Sequence, residues 1–304
     1  MKELNRTQNP HHDDKVIDAC SIFGAMDTSG KRFSGKGVIR AIANMHDRGN
    51  GLGGGLAVYG LYPEYAEHYA FHIMYLSPAG QAEVEAFLNN KFNLVHAEEV
   101  PTRPNPAITN PPAIWRYFLS AGRHNPDGQS EDDYVVEKVM EINTKLQDSF
   151  VFSSGKDMGV FKGVGYPEEI ADYFRLDECE GYLWTAHGRF PTNTPGWWGG
   201  AHPFCILDWT VVHNGEISSY GINRRYLEQF GYLCTMQTDT EVIAYAVDLL
   251  IRKHHLPIEI AAKVMAPPLW SDIERRPPKE RQLLETLRMV YGSLLMNGPF
   301  TVII

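Results

Sequence analysis

The 304-residue sequence has no apolar run approaching the roughly 20 residues that span a bilayer. Residues 1–19 (MKELNRTQNPHHDDKVIDA) also lack the apolar centre of a secretory signal, so the expectation is a cytoplasmic chain that does not enter a membrane. Cysteine is scarce. Cys20, Cys179, Cys205 and Cys234 lie far apart with no C-x-x-C pair, which argues against a disulfide framework and against a common zinc site. Positive charge is in deficit too: 28 Lys and Arg stand against 37 Asp and Glu, for a formal charge of −9. A nucleic-acid partner needs clustered cations to displace counterions, and this chain does not offer them.

What is present is enough apolar material, 43% of residues, to bury a substantial core. Cys20–Met26 reads as a short buried strand ended by the turn Asp27–Gly30. Val38, Ile39, Ile42, Ala43 and His46 recur at helical spacing and stop at the glycines of RGNGLGGG. Strands follow at 55–59 and 69–76, then a helix over 79–90 entered through Pro78. Residues 97–133 are rich in Pro, Asn, Asp and Gly and read as an irregular excursion within one domain.

A helix over 134–147 leads into an expected hairpin, 150–153 and 159–164 about the turn SGKDM. Pro167 opens a short helix, and the strand-rich runs YLWTAHGRFPTNT and CILDWTVVHNGEI follow. Helices are expected over 219–230 and 240–254, the second introduced by Thr238 and Glu241 as a capping box, and then over 279–295. The last residues, GPFTVII, form a strand with no turn or cap after it, from which the domain is expected to continue beyond Ile304. Strands in runs separated by paired helices, with no internal repeat, favour an α+β plan with antiparallel sheets.

Cys20 is a candidate nucleophile without a neighbouring histidine to serve as base. If the chain is cut before it, the freed α-amine has a pKa of about 7.7–8.0 and can take the thiol proton. The competing reading is a small buried hydrophobe in a strand. Asn214–Gly215 fits a hairpin turn; Arg189 fits a surface ion pair and Asp239 a favourable acid in a helix's first turn. Arg48 fits a solvated side chain and Thr192–Asn193 a plain turn. His187, His202 and His213, spaced by 15 and 11, match no common metal motif and read as loop and strand-end supports. GNGLGG at 49–54 fits G-x-G-x-x-G, but a helix precedes it and a strand follows, the reverse of the dinucleotide fingerprint. A loop able to close over a ligand is the better reading.

The early cysteine, Arg48–Gly49, HGRFPTNT at 187–194, AHPF at 201–204, HNGEI at 213–217 and TDTE at 238–241 occur in an order that resembles the class II glutamine amidotransferases. The similarity is nearest to the amidotransferase domain of glutamate synthase and covers Cys20 to Ile304. It implies the four-layer αββα sandwich of N-terminal-nucleophile hydrolases, with residues 1–19 as a leader removed before activity. It further implies attack of Cys20 on the side-chain amide of glutamine, and an oxyanion held by Asn214 and the Gly215 N–H. Arg189 would take the substrate carboxylate and Asp239 its ammonium, with Arg48, Thr192 and Asn193 lining the pocket. Many relatives begin Cys-Gly where this chain has Ser21, which removes no chemical group.

No cofactor or metal is implied in this chain, which has neither the length nor the cysteines for the FMN and iron–sulfur centre of glutamate synthase. Ammonia is therefore expected to pass to a separate flavin-containing synthase subunit. Alternatives are a subunit serving another acceptor, such as an N-methylglutamate synthase, a hydrolase of the same fold acting on another amide, and a non-catalytic glutamine-sensing domain.

Overall fold

In the computed structural model, which describes residues 19–191 and 196–304, an antiparallel sheet is built from four distant stretches of chain. The expected leader, apart from Ala19, lies outside the described residues. The strands are β1 (Ser21–Met26), β2 (Phe33–Ser34), β3 (Gly54–Tyr59), β4 (Tyr69–Tyr75), β5 (Asn93–Glu99), β6 (Ala113–Ser120) and β7 (Ser149–Ser153). They continue as β8 (Met158–Gly163), β9 (Glu180–Gly181), β10 (Leu183–Gly188), β11 (Phe204–Ile206), β12 (Trp209–Gly215) and β13 (Phe300–Ile303). The first sheet runs β1-β10-β3-β8. A second layer consists of β5-β6-β4-β7 and β11-β12-β13, and β2 and β9 pair separately.

The helices are α1 (Lys36–Ala43), α2 (Pro78–Lys91), α3 (Glu131–Lys145), α4 (Pro167–Tyr173), α5 (Tyr220–Glu228), α6 (Asp239–Val247), α7 (Ile258–Met265), α8 (Trp270–Glu274) and α9 (Pro278–Val290). Helices α1 and α4 pack on the first sheet, while α2, α3 and α6 cover the second layer. The order helix, sheet, sheet, helix is the expected α+β sandwich. Because strands are covered on both faces, β4 and β8 are buried along their whole length and read as near-continuous apolar runs.

Local signals place most helices. In α1, Val38 and Ile42 bury one face at i, i+4. Ser77 caps α2 by accepting the Gly80 N–H at 3.2 Å, ahead of Pro78. Ser130 caps α3 through the Asp133 N–H at 3.1 Å, with three acids in the first turn, so this helix begins earlier than its apolar periodicity alone implies.

Tertiary structure overrides several expectations. The segments 149–153 and 158–163 are not a hairpin: β7 pairs with β4, and β8 pairs with β3 in the other sheet. The connector is held by both layers, with the Gly155 carbonyl accepting from Ala70 N–H and the Asp157 carbonyl from Gly60 N–H. The excursion is shorter than 97–133, because β5 and β6 pair from Asn93↔Ser120 to Glu99↔Trp115 and the prolines gather in the connection 100–112. Thr238 and Glu241 form no capping box. Thr238 makes no side-chain cap bond, and Glu241 instead accepts the Thr235 and Met236 N–H groups at 2.9 Å each. The helix expected to run on to His254 becomes a π-helical turn over Asp248–Lys253, where buried Asp248 accepts from Tyr232 and Arg252. Helices α7 and α8 follow, in a stretch for which the sequence reading places no element.

His72 stands in the middle of β4 with no exposed surface, its Nδ1–H donating to the Val160 carbonyl and Nε2 accepting from Tyr62, both at 2.8 Å. Burial pushes its pKa down to about 3. The unfolded histidine titrates near 6.5, so between these values the unfolded chain binds more protons. Stability is complete above about pH 6.5 and falls on acidification toward pH 3, by about 1.4 kcal/mol per pH unit from this residue. Imidazole NMR should show no titration of His72 from pH 8 to 4, and denaturant unfolding should show lower stability at pH 5 than at pH 7. A His72 midpoint near 6.5 would contradict this packing.

Candidate active site

Cys20 lies immediately before β1, and β1 pairs with β10 from Met26↔Leu183 to Ser21↔Gly188. That register sets Cys20 beside the residues following Gly188. The Phe190 N–H points at Cys20 Sγ at 3.3 Å, and Ser21 Oγ lies 3.5 Å from the Gly188 carbonyl. Arg48 Nη2 reaches the Cys20 carbonyl at 3.4 Å. Burial raises the Cys20 thiol pKa, while the Phe190 N–H and the Arg189 charge work against that rise and Asp239 adds to it. By contrast Cys205, more fully desolvated, is pushed up to about 12.

A cleft of about 210 Å³ opens at Cys20, lined on one side by Arg189 and Phe190 and on the other by Gly215, Ile217, Gln237 and Asp239. Arg189 is 4% exposed, and its N–H donates to the Gly53 carbonyl at 2.8 Å, which docks the glycine loop 49–54 against it. A 3₁₀ turn, His46–Arg48, precedes that loop and β3 follows, so the dinucleotide arrangement is absent here. Burial lowers the Arg189 pKa against the pull of Cys20 and Asp239.

Asp239 opens α6. Burial alone would raise its pKa, yet His213, the Ile217 N–H and Thr240 outweigh that and hold it below the usual carboxylate range. The Ile217 N–H donates to Oδ2 at 3.0 Å, and His213 Nδ1 lies 3.6 Å from Oδ1. Asp239 therefore keeps its negative charge at neutral pH while facing the cleft.

The three histidines converge beneath this wall. His187 Nε2–H donates to the His213 carbonyl at 2.8 Å, the His187 and His202 rings lie 4.1 Å apart, and Thr240 Oγ1 is within 2.5 Å of His202 Nε2 and 3.0 Å of His213 Nδ1. Burial drives His187 down to about 3 and His202 well below its ordinary value, so both are neutral at pH 7. Among the described residues no group of His, Cys, Asp or Glu is arranged to hold a metal ion.

Asn214 and Gly215 are not a turn. They end β12, opposite Thr301 and Phe300 of β13. Gly215 has φ +147°, and a Cβ there would lie 2.2 Å from the Pro299 carbonyl. The structure thus brings Cys20, Arg189, Gly215 and Asp239 to one cleft, with Arg48 behind Cys20 and Asn214 next to Gly215. Thr192 and Asn193 lie outside the described residues. Sequence reasoning did not single out the Phe190 N–H, Thr240 or Gln237. The first two sit inside the HGRF and TDTE runs, but nothing local marks Gln237, whose φ of +60° is unusual for a residue with a side chain.

The family model for class II glutamine amidotransferases matches residues 65–294, beginning downstream of Cys20. An uncharacterized protein of Archaeoglobus fulgidus is 60% identical over 295 residues, 96% of this chain and 78% of that protein. The glutamine–fructose-6-phosphate aminotransferase of Vibrio cholerae is 37% identical over 123 residues, 40% of this chain but 20% of that enzyme. The enzyme of the same name from Sulfurisphaera tokodaii is 32% identical over 108 residues, 35% of this chain and 18% of that enzyme.

Gly215→Ala is expected to cost about 1–3 kcal/mol, because the new methyl collides with backbone in a conformation that disfavours it. Denaturant unfolding measures this. Unchanged stability would contradict the close approach of β13.

Proposed function

Because the chain belongs to the class II glutamine amidotransferases, we propose that it hydrolyses L-glutamine to glutamate and ammonia, with Cys20 as the nucleophile. One observation carries the reading: a thiol, a buried guanidinium and an ionised carboxylate line the same cleft. The last two answer the opposite charges of a free amino acid. Arg189 presents a planar fork to the α-carboxylate and Asp239 holds the α-ammonium, which leaves the side-chain amide to reach Sγ.

The Cys20 Sγ–carbon bond forms as the thiol gives up its proton, and charge moves onto the amide oxygen. Asn214's side-chain amide and the Gly215 N–H are the donors assigned to that oxygen, each worth about 2.7–4 kcal/mol of barrier in such sites. Collapse, with the thiol's proton passed from the α-ammonium of Cys20 to the leaving nitrogen, breaks the C–N bond, expels ammonia and leaves a γ-glutamyl thioester, which water then cleaves to glutamate with return of a proton to Sγ. The base is the α-amine of Cys20 in a chain cut after Ala19, with the Phe190 N–H favouring the thiolate. Arg48 orients the first residue through its carbonyl, and the 49–54 loop closes over bound glutamine.

On this reading the ammonia is passed to a separate flavin-containing, glutamate-synthase-like subunit that carries the FMN and iron–sulfur centre, and this chain works without a cofactor. The unpaired thiols suit a reducing cytoplasm. The support for that choice of partner is the resemblance of the runs HGRFPTNT, AHPF and HNGEI to those of the amidotransferase domain of glutamate synthase.

In protein beginning at Cys20, diazo-oxo-norleucine is expected to add covalently to Cys20, seen by peptide mass spectrometry, and Cys20→Ser to lower ammonia release by at least about 10³-fold. A properly processed chain that is neither labelled nor active would refute the assignment. Asp239→Asn should raise KM for glutamine about tenfold or more while leaving kcat less affected, since it removes binding present in both ground and transition states. An unchanged KM would remove Asp239 from the substrate site.

A further inference from the structure

Lys162 is a buried lysine that the proposed chemistry does not use. It lies in β8 opposite Gly55, with no exposed surface. Its Nζ donates to the Gly199 carbonyl at 2.9 Å, lies 3.8 Å from Met236 Sδ, and sits 4.1 Å from the centre of the Phe204 ring. The two polar contacts belong to different loops. Gly199 is in the turn that follows the HGRF run, and Met236 is in the approach to Asp239.

The first loop lies directly on β8. Gly163 passes under Trp198 so closely that a Cβ would lie 2.5 Å from the indole, and a Cβ on Gly200 would be 3.2 Å from Arg189 Nη1. The second loop has its own buried anchor. Glu241, 1% exposed, accepts the Thr235 and Met236 N–H groups at 2.9 Å and the Tyr245 hydroxyl at 3.1 Å. The next residue is Gln237, at φ +60°, and then come Thr238 and Asp239 on the cleft wall. Irregular loops have no ladder of their own to set their position, so fixed polar anchors must do it.

We propose that Lys162 and Glu241 act together as positioning residues: a buried amine and a buried carboxylate that tie the 197–201 and 235–238 loops to β8 and α6, and so set the distance between Arg189 and Asp239. The proposal rests on the reading that these two residues bind the ends of glutamine. The two groups also act on each other's charge. Burial lowers Lys162 to about 7 and raises Glu241, and each charge opposes the other's shift; Cys205 and Arg189 are the other titratable groups acting on Lys162. A buried charge pair contributes little net stability beside apolar side chains of the same volume. Its contribution here is geometric: a displacement of the order of 1 Å in a substrate-holding group is enough to cost about 10²-fold in kcat/KM.

Lys162→Met keeps the volume and removes the charge and the donor; Glu241→Gln keeps one acceptor and the Tyr245 contact. Two readouts are compared in protein beginning at Cys20. In the first, either variant is expected to raise KM for glutamine at least tenfold with a smaller change in kcat, while its thermal midpoint stays within a few degrees of wild type. The double variant should be no worse than the poorer single one, the signature of residues acting as a unit. The second readout needs no turnover: trypsin cleavage after Arg189 should be at least fivefold faster in each variant than in wild type.

Unchanged cleavage and unchanged KM in both variants would overturn the clamp. So would failure of both to fold, which would assign the pair to the core alone. If wild type itself releases no ammonia, the glutaminase reading fails, and the cleavage rates still decide the clamp.

Discussion

The antiparallel ladder between β1 and β10, ending at Ser21 opposite Gly188, brings Cys20 to the backbone N–H of Phe190 and to the buried guanidinium of Arg189. Sliding that ladder by one residue would turn every side chain of β1 to the other face and carry Cys20 away from the cleft. The same β10 pairs with β3, which follows the glycine loop that docks on Arg189. One strand therefore coordinates nucleophile, cation and loop. The opposite wall comes from β12 and the start of α6, whose packing sets Asp239 over the end of the HNG run.

The cleft is a balance of desolvation against a few directed dipoles. Burial penalises the thiolate of Cys20, the carboxylate of Asp239 and the guanidinium of Arg189 alike. For Asp239 the surrounding donors win and the charge is kept. For the thiol they only moderate the rise, which is why a nearby base is needed in the proposed mechanism. His187 and His202 stay neutral, so they supply shape and hydrogen bonds without adding positive charge next to Arg189. Thr240 Oγ1 links His202 and His213 to Asp239 Oδ1, which couples the floor to the wall.

Much of the fold was readable locally. Apolar periodicity marked α1, Pro78 marked the entry to α2, and β-branched and aromatic runs marked β1, β3, β4 and β10, because these signals act within a few residues. The misread elements share a cause. The run around SGKDM has the pattern of a hairpin, but its two arms find better partners in different sheets. Thr238 and Glu241 have capping-box spacing, but Glu241 is drawn to the N–H groups of Thr235 and Met236. Asn214–Gly215 has the composition of a turn, but β13 arrives from 85 residues away to continue the pairing. In each case a long-range partner outcompeted a local one.

The sequence by itself determined the α+β class, the family resemblance and the residue types that the cleft uses, since the order of Cys20, Arg189, Asn214–Gly215 and Asp239 is carried in short runs. Tertiary structure alone decided that the Cys20 thiol meets the Phe190 N–H in the cleft that Arg189 and Asp239 line, that three widely spaced histidines come together in the interior, and that Lys162 reaches two loops at once. The physical reason is that charge, burial and hydrogen-bond geometry depend on residues 26 to 170 positions apart meeting in space, which no local pattern of residue types encodes.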